Sequence, residues 1–118
     1  MDIRKLQRII VDALEDIKGK DIEVINTRKL TSLFDRLVVC SGDSNRQVKA
    51  LARNVQEKVL EAGGEVIGVE GEETGEWVLV DLGDAVVHVM QPAVRSYYNI
   101  EELWQGKPST GKKTDSDD

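Results

Sequence analysis

Residues 69–90 read VEGEETGEWVLVDLGDAVVHVM, and this stretch decides the fold. Two runs rich in valine flank the turn Asp81-Leu82-Gly83-Asp84, the pattern of a β-hairpin. Centring that turn between Leu82 and Gly83 sets an expected pairing. Asp81 faces Asp84, Val80 faces Ala85, Leu79 faces Val86, Val78 faces Val87 and Trp77 faces His88. Side chains alternate along a strand, so Val78, Val80, Ala85, Val87 and Val89 share one face. Trp77, Leu79, Val86, His88 and Met90 share the other. The first set is a complete aliphatic core face. The second is amphipathic and aromatic, so it either lies under a helix or serves as a binding surface. Aromatic residues and Met are enriched at protein interfaces, where truncating an anchor costs about 2 kcal/mol or more.

The rest of the chain supplies layers for this hairpin. Ile3, Leu6, Ile9, Ile10, Ala13, Leu14 and Ile17 recur at helical spacing and predict an amphipathic helix over 3–18, stopped by Gly19. Asp21–Asn26 is a short strand and residues 27–34 are irregular. The continuous apolar run in Asp35–Ser41 predicts a central strand buried on both faces. A second helix spans Ser44 to Ala62 with Val48, Leu51, Ala52, Val55 and Val59 as its stripe. Ser44 and Gln47 form its capping box, and Gly63-Gly64 its stop. Glu65–Val69 is a further strand. Pro92 opens a last helix that runs to Trp104 and carries Tyr97, Tyr98, Ile100 and Leu103. The expected fold class is therefore α+β, a mixed sheet of about five strands flanked by helices. The domain occupies residues 1–104. GKPSTGKKTDSDD at 106–118 has no large apolar residue, so 105–118 is expected to be a disordered tail.

Size and charge limit what such a domain does. A chain of 118 residues holds one core of two packed layers, and no run approaches a membrane span. The N-terminus lacks a secretory apolar core, and Cys40 is the single cysteine, which reads as a small buried hydrophobe. A cytoplasmic protein is expected. The net charge of −6 is unevenly spread: residues 1–60 carry +3, and residues 61–104 carry −9 with Arg95 as their single base. An acidic hairpin region repels phosphate and suits a basic protein partner, or simply keeps the chain soluble.

Catalysis finds little support. The Ser41-Gly42-Asp43-Ser44 turn joins a buried strand to a helix, as at the phosphate-binding turn of nucleotidyltransferases. Those enzymes also place paired carboxylates on a nearby strand to hold magnesium. Asp81 and Asp84 sit instead at a hairpin turn, and capping by Asp43 or Ser44 accounts for the Gly-Ser turn. His88 is the single histidine, which excludes a multi-histidine metal site and reads as a packed or half-exposed strand residue. Arg46, Lys49 and Arg53 share one helix face, a solvated surface or, if used, a minor contact with an RNA backbone.

These residues carry a family resemblance. GDSNRQVKALA at 42–52, GVEGEETGEWVLVDLGDAVVHVM at 68–90 and YYNIEELW at 97–104 are similar to the ribosomal silencing factors of the Iojap family. The pattern of Trp77, Asp81, Gly83, Asp84, His88 and Val89 is the most specific part, and the likeness covers residues 1–104. The resemblance implies a nucleotidyltransferase-like fold without the catalytic carboxylates, no enzymatic activity and no cofactor. It implies binding to the large ribosomal subunit through ribosomal protein L-fourteen, with subunit joining blocked and translation dampened when nutrients are short. A minor contact with ribosomal RNA and a homodimer of the free protein are compatible with it. Carried over by position, the contact surface falls on Trp77, Leu82 and Tyr98, with Asp81, Met90 and His88 as neighbours. Leu82, placed in a turn, is expected to be exposed. A residual nucleotidyltransferase and a dimeric adaptor unrelated to the ribosome are the alternatives.

Overall fold

The computed structural model describes residues 1–105. Its elements are α1 (Ile3–Asp16), β1 (Lys20–Asn26), β2 (Arg36–Ser41), α2 (Asn45–Glu61), β3 (Gly68–Glu70), β4 (Trp77–Asp81), β5 (Ala85–Met90), α3 (Pro92–Tyr98) and α4 (Ile100–Gln105). The five strands form one sheet in the order β1-β2-β5-β4-β3. Only β2 and β5 run parallel; the other neighbours are antiparallel. This is the α+β mixed sheet expected from the sequence. β5 lies at the centre of the sheet, and β2 beside it is an interior strand with all six residues buried. The expected tail over 105–118 lies outside the described residues, except for Gln105 at the end of α4.

The helical stripes become one core. Leu6, Ile10, Ala13 and Leu14 of α1 and Val48, Leu51, Ala52, Val55 and Val59 of α2 close over Val24, Val38, Val78, Val80, Val87 and Val89. Burying each such aliphatic side chain contributes about 1.5–3 kcal/mol. Polar side chains hold the two helices together at their ends. Gln47 Nε2 donates to Ile17 O at 3.1 Å, and Asn54 Nδ2 donates to Ala13 O at 2.8 Å. Asp2 caps α1 by accepting from Lys5 N, and Ser44 caps α2 by accepting from Gln47 N at 3.1 Å. Gln47 Oε1 in turn accepts from Asp43 N at 2.7 Å, one residue earlier than a standard capping box.

Three local expectations are corrected. The hairpin register is shifted by two: Trp77 pairs with Met90, Leu79 with His88, Val80 with Val87 and Asp81 with Val86. The chain reverses at Gly83, whose φ of 89° lies in the left-handed region open to glycine, and Leu82 N still bonds Ala85 O at 2.9 Å. The turn is therefore centred one residue later than expected. A shift of two preserves the alternation, so both expected faces survive. The third strand is shorter and later than Glu65–Val69. The last helix is two helices, because Asn99 adopts φ 47° and ψ 55° and ends α3. Asparagine tolerates that conformation through local hydrogen bonds. Its N–H donates to Arg95 O at 2.8 Å, and its Nδ2 donates to Glu102 Oε1 at 2.7 Å in the next helix.

Candidate docking surface

The sheet face away from α1 and α2 is only partly covered. Register aligns Glu23, Val39, His88, Leu79 and Glu70 in one row across all five strands. Toward β1 and β2 the face is closed: Ile25, Leu37, Val39, Val86, Met90 and Ile100 form a second buried cluster. Phe34 and Trp104 pack against it, their rings 5.2 Å apart edge to face. Toward β4 the cover thins, and Trp77, Leu79 and His88 are only half-buried.

An aromatic row leads outward from that half-covered edge. His88 and Trp77 are diagonal neighbours, with ring centroids 5.8 Å apart, and Trp77 Nε1 donates to His88 Nδ1 at 2.9 Å. The Trp77 ring lies 5.0 Å from Tyr98, and Tyr98 meets Tyr97 edge-on at 4.9 Å. Exposure rises along the row to 53% at Tyr98 and 81% at Tyr97. Burial pushes the His88 imidazole down to about 4, against the opposing pull of the Glu101 charge. His88 is therefore neutral near pH 7. With Nδ1 accepting, its proton sits on Nε2.

Two devices fix this surface. Arg95 Nε bonds Glu101 Oε2 at 2.9 Å, and Arg95 Nη1 reaches Ser41 Oγ at 2.9 Å, pinning α3 and α4 to the end of β2. This pair is nearly fully buried, and Glu101 Oε1 has no hydrogen-bond partner. On the other side, Gly71 (φ 91°) folds the loop before β4 onto the tryptophan backbone. A Cβ there would lie 2.0 Å from Trp77 O, so only glycine fits. That loop and the strand before it carry Glu70, Glu72, Glu73 and Glu76, all exposed, as an acidic rim.

The expected contact residues separate into three groups. Trp77 and Tyr98 come together at the surface. Asp81 is half-buried on the same face, its Oδ1 accepting from Gly83 N at 2.9 Å. Leu82 is not exposed: it is 7% accessible and belongs to the aliphatic cluster under α1 and α2. The later turn leaves Leu82 in the strand alternation, on the face of Val78 and Val80. Met90, expected as a neighbour of the contacts, is fully buried beneath Ile100, Val94 and Trp77, so it supports the surface without forming part of it. Tyr97 and Leu103, expected on one long helix, lie on either side of the break at Asn99 and are 81% and 77% exposed.

The remaining chemistry-bearing groups have structural partners. Ser44 caps α2, Asp43 pairs with Lys20, and Ser41 engages Arg95. Lys49 Nζ donates to Glu73 O at 3.3 Å, which leaves Arg46 and Arg53 as the exposed cations of the stretch proposed for RNA. Cys40 is buried, and burial raises its thiol to about 12. Among the described residues no group of three or more His, Cys, Asp or Glu could hold a metal ion, and no helix is long and apolar enough to cross a membrane.

A family model described as "Ribosomal silencing factor during starvation" matches residues 1–118. A protein of Chromobacterium violaceum named "Ribosomal silencing factor RsfS" is 64% identical over 110 residues, which are 92% of this chain and 90% of that protein. A crystal structure from the same organism superposes with a TM-score of 0.89 at 64% identity, covering 92% of each chain. A mouse protein named "Mitochondrial assembly of ribosomal large subunit protein 1" is 30% identical over 99 residues, 81% of this chain and 43% of that protein.

Proposed function

Because the chain belongs to the family of ribosomal silencing factors during starvation, we propose that it represses translation by binding the large ribosomal subunit through ribosomal protein L-fourteen. Bound there, its bulk blocks joining with the small subunit when nutrients are short. The mechanism is steric and has no chemical step. The observation that carries the reading is the half-covered aromatic row of Trp77, Tyr98 and Tyr97 beside four exposed glutamates. Such a row offers rigid, amphipathic anchors, and the acidic rim steers a basic protein toward them. The mouse relative, named for the large subunit, supports that choice of partner. Trp77 and Tyr98 are the anchors and Asp81 lies at the rim; Leu82 and Met90 hold the sheet beneath. The protein acts in the cytoplasm, where ribosomes are assembled from their subunits.

Purified subunits test this directly. Added to an equimolar mixture of large and small subunits in a sucrose gradient, the protein should travel with the large subunit and deplete the whole-ribosome peak. Raising the salt should weaken the association, because exposed charges are screened beyond about 8 Å at physiological ionic strength. Sedimentation with the small subunit, or an undiminished whole-ribosome peak at saturating protein, would contradict the proposal.

A further inference from the structure

Half-buried indoles need an acceptor for their N–H, and a tryptophan at the first position of a strand is otherwise free to change rotamer. Here one acceptor does both jobs. From this geometry we infer that His88 is a positioning residue, whose imidazole holds the Trp77 ring beside Tyr98 in the orientation presented to a protein partner. The inference rests on the docking role of Trp77 proposed above.

His88 sits one row inward of Trp77 on the diagonal, with Nδ1 2.9 Å from Nε1. It is half-buried between Val39 and Leu79, so its ring is a poor contact and a good support. The bond requires a neutral imidazole, since a protonated one carries N–H at both nitrogens and has no acceptor. The charged groups around it are Glu101 of α4, held by Arg95 of α3, together with Glu23 and Glu70 at the two ends of its own row. Burial outweighs the Glu101 charge, and the ring stays neutral. An indole already fixed in place loses less side-chain freedom on docking, which corresponds to roughly a 3- to 10-fold gain in affinity.

The test compares His88→Leu, which removes the acceptor, with His88→Gln, which keeps an oxygen there. The readouts are the Trp77 indole ¹H–¹⁵N resonance, assigned by its absence in Trp77→Phe, and the Kd for purified large subunits. In the wild-type protein the Trp77 indole proton should resonate downfield of its position in His88→Leu. His88→Leu should weaken binding about 3- to 10-fold with a native amide spectrum, and His88→Gln should recover both shift and affinity in part. In a Trp77→Phe background, His88→Leu should cost nothing further. Wild-type affinity in His88→Leu, or equal losses in the two variants despite different indole shifts, would overturn the inference. Unchanged binding by Trp77→Ala would instead overturn the docking role, and the positioning role with it.

Discussion

The two faces of one sheet have opposite designs. The face under α1 and α2 is uniformly aliphatic and closed, with Val38, Val78, Val80, Val87 and Val89 fully buried. The face under α3 and α4 is closed over β1 and β2 but opens toward β4 into His88 of β5, Trp77 and the two tyrosines. The closed sheet face itself needs only volume and alternation, while Gln47 and Asn54 tie its two covering helices to each other. The open face adds polar fasteners, because its cover is two helices too short to be stable on their own. What distinguishes the faces is therefore the specificity of the bonds beneath each surface.

Breaking a fastener should have the largest effect. Glu101→Leu leaves the buried Arg95 guanidinium uncompensated and should cost about 3–5 kcal/mol in chemical denaturation. Adding Arg95→Met should restore much of that loss. On the closed face, Leu51→Ala should cost about 2–5 kcal/mol, while the folded fraction keeps its affinity for large subunits. Loss of affinity in that folded fraction would show that the faces are not separable.

Acid should act on the open face through His88. Its folded value of about 4 lies below the ordinary 6.5, so the unfolded chain takes up the proton first as pH falls. The contribution of His88 is complete above pH 6.5 and lost between 6.5 and 4, amounting to roughly 3 kcal/mol. His88→Leu should flatten that part of the stability curve. The smallest effect belongs to the closed face: Ser44→Ala removes the α2 cap and should cost about 1 kcal/mol without altering binding.

The difference between the faces also explains how much the sequence disclosed. Alternation and helical spacing predict the aliphatic face of the hairpin and the two helix stripes, with Leu82 as the exception, because burial there follows period. The mixed sheet followed from the order of elements. The hairpin register did not, since Gly83 permits the reversal one residue later than the symmetric reading of Asp81–Asp84. That single displacement moved Leu82 from an exposed tip into the core. Asn99 is the second departure: its left-handed backbone splits a continuous helical pattern into α3 and α4, with Tyr97 and Leu103 exposed on either side. The sequence predicts Trp77 and His88 as directly opposite neighbours, and their contact survives the register shift because diagonal neighbours still touch.

The central claim is that the open face docks on the large ribosomal subunit. Co-sedimentation of Trp77→Ala combined with Tyr98→Ala tests it most directly. The double variant should keep its circular dichroism spectrum and lose its place with large subunits in the gradient. A folded double variant that still travels with large subunits at wild-type stoichiometry would contradict it.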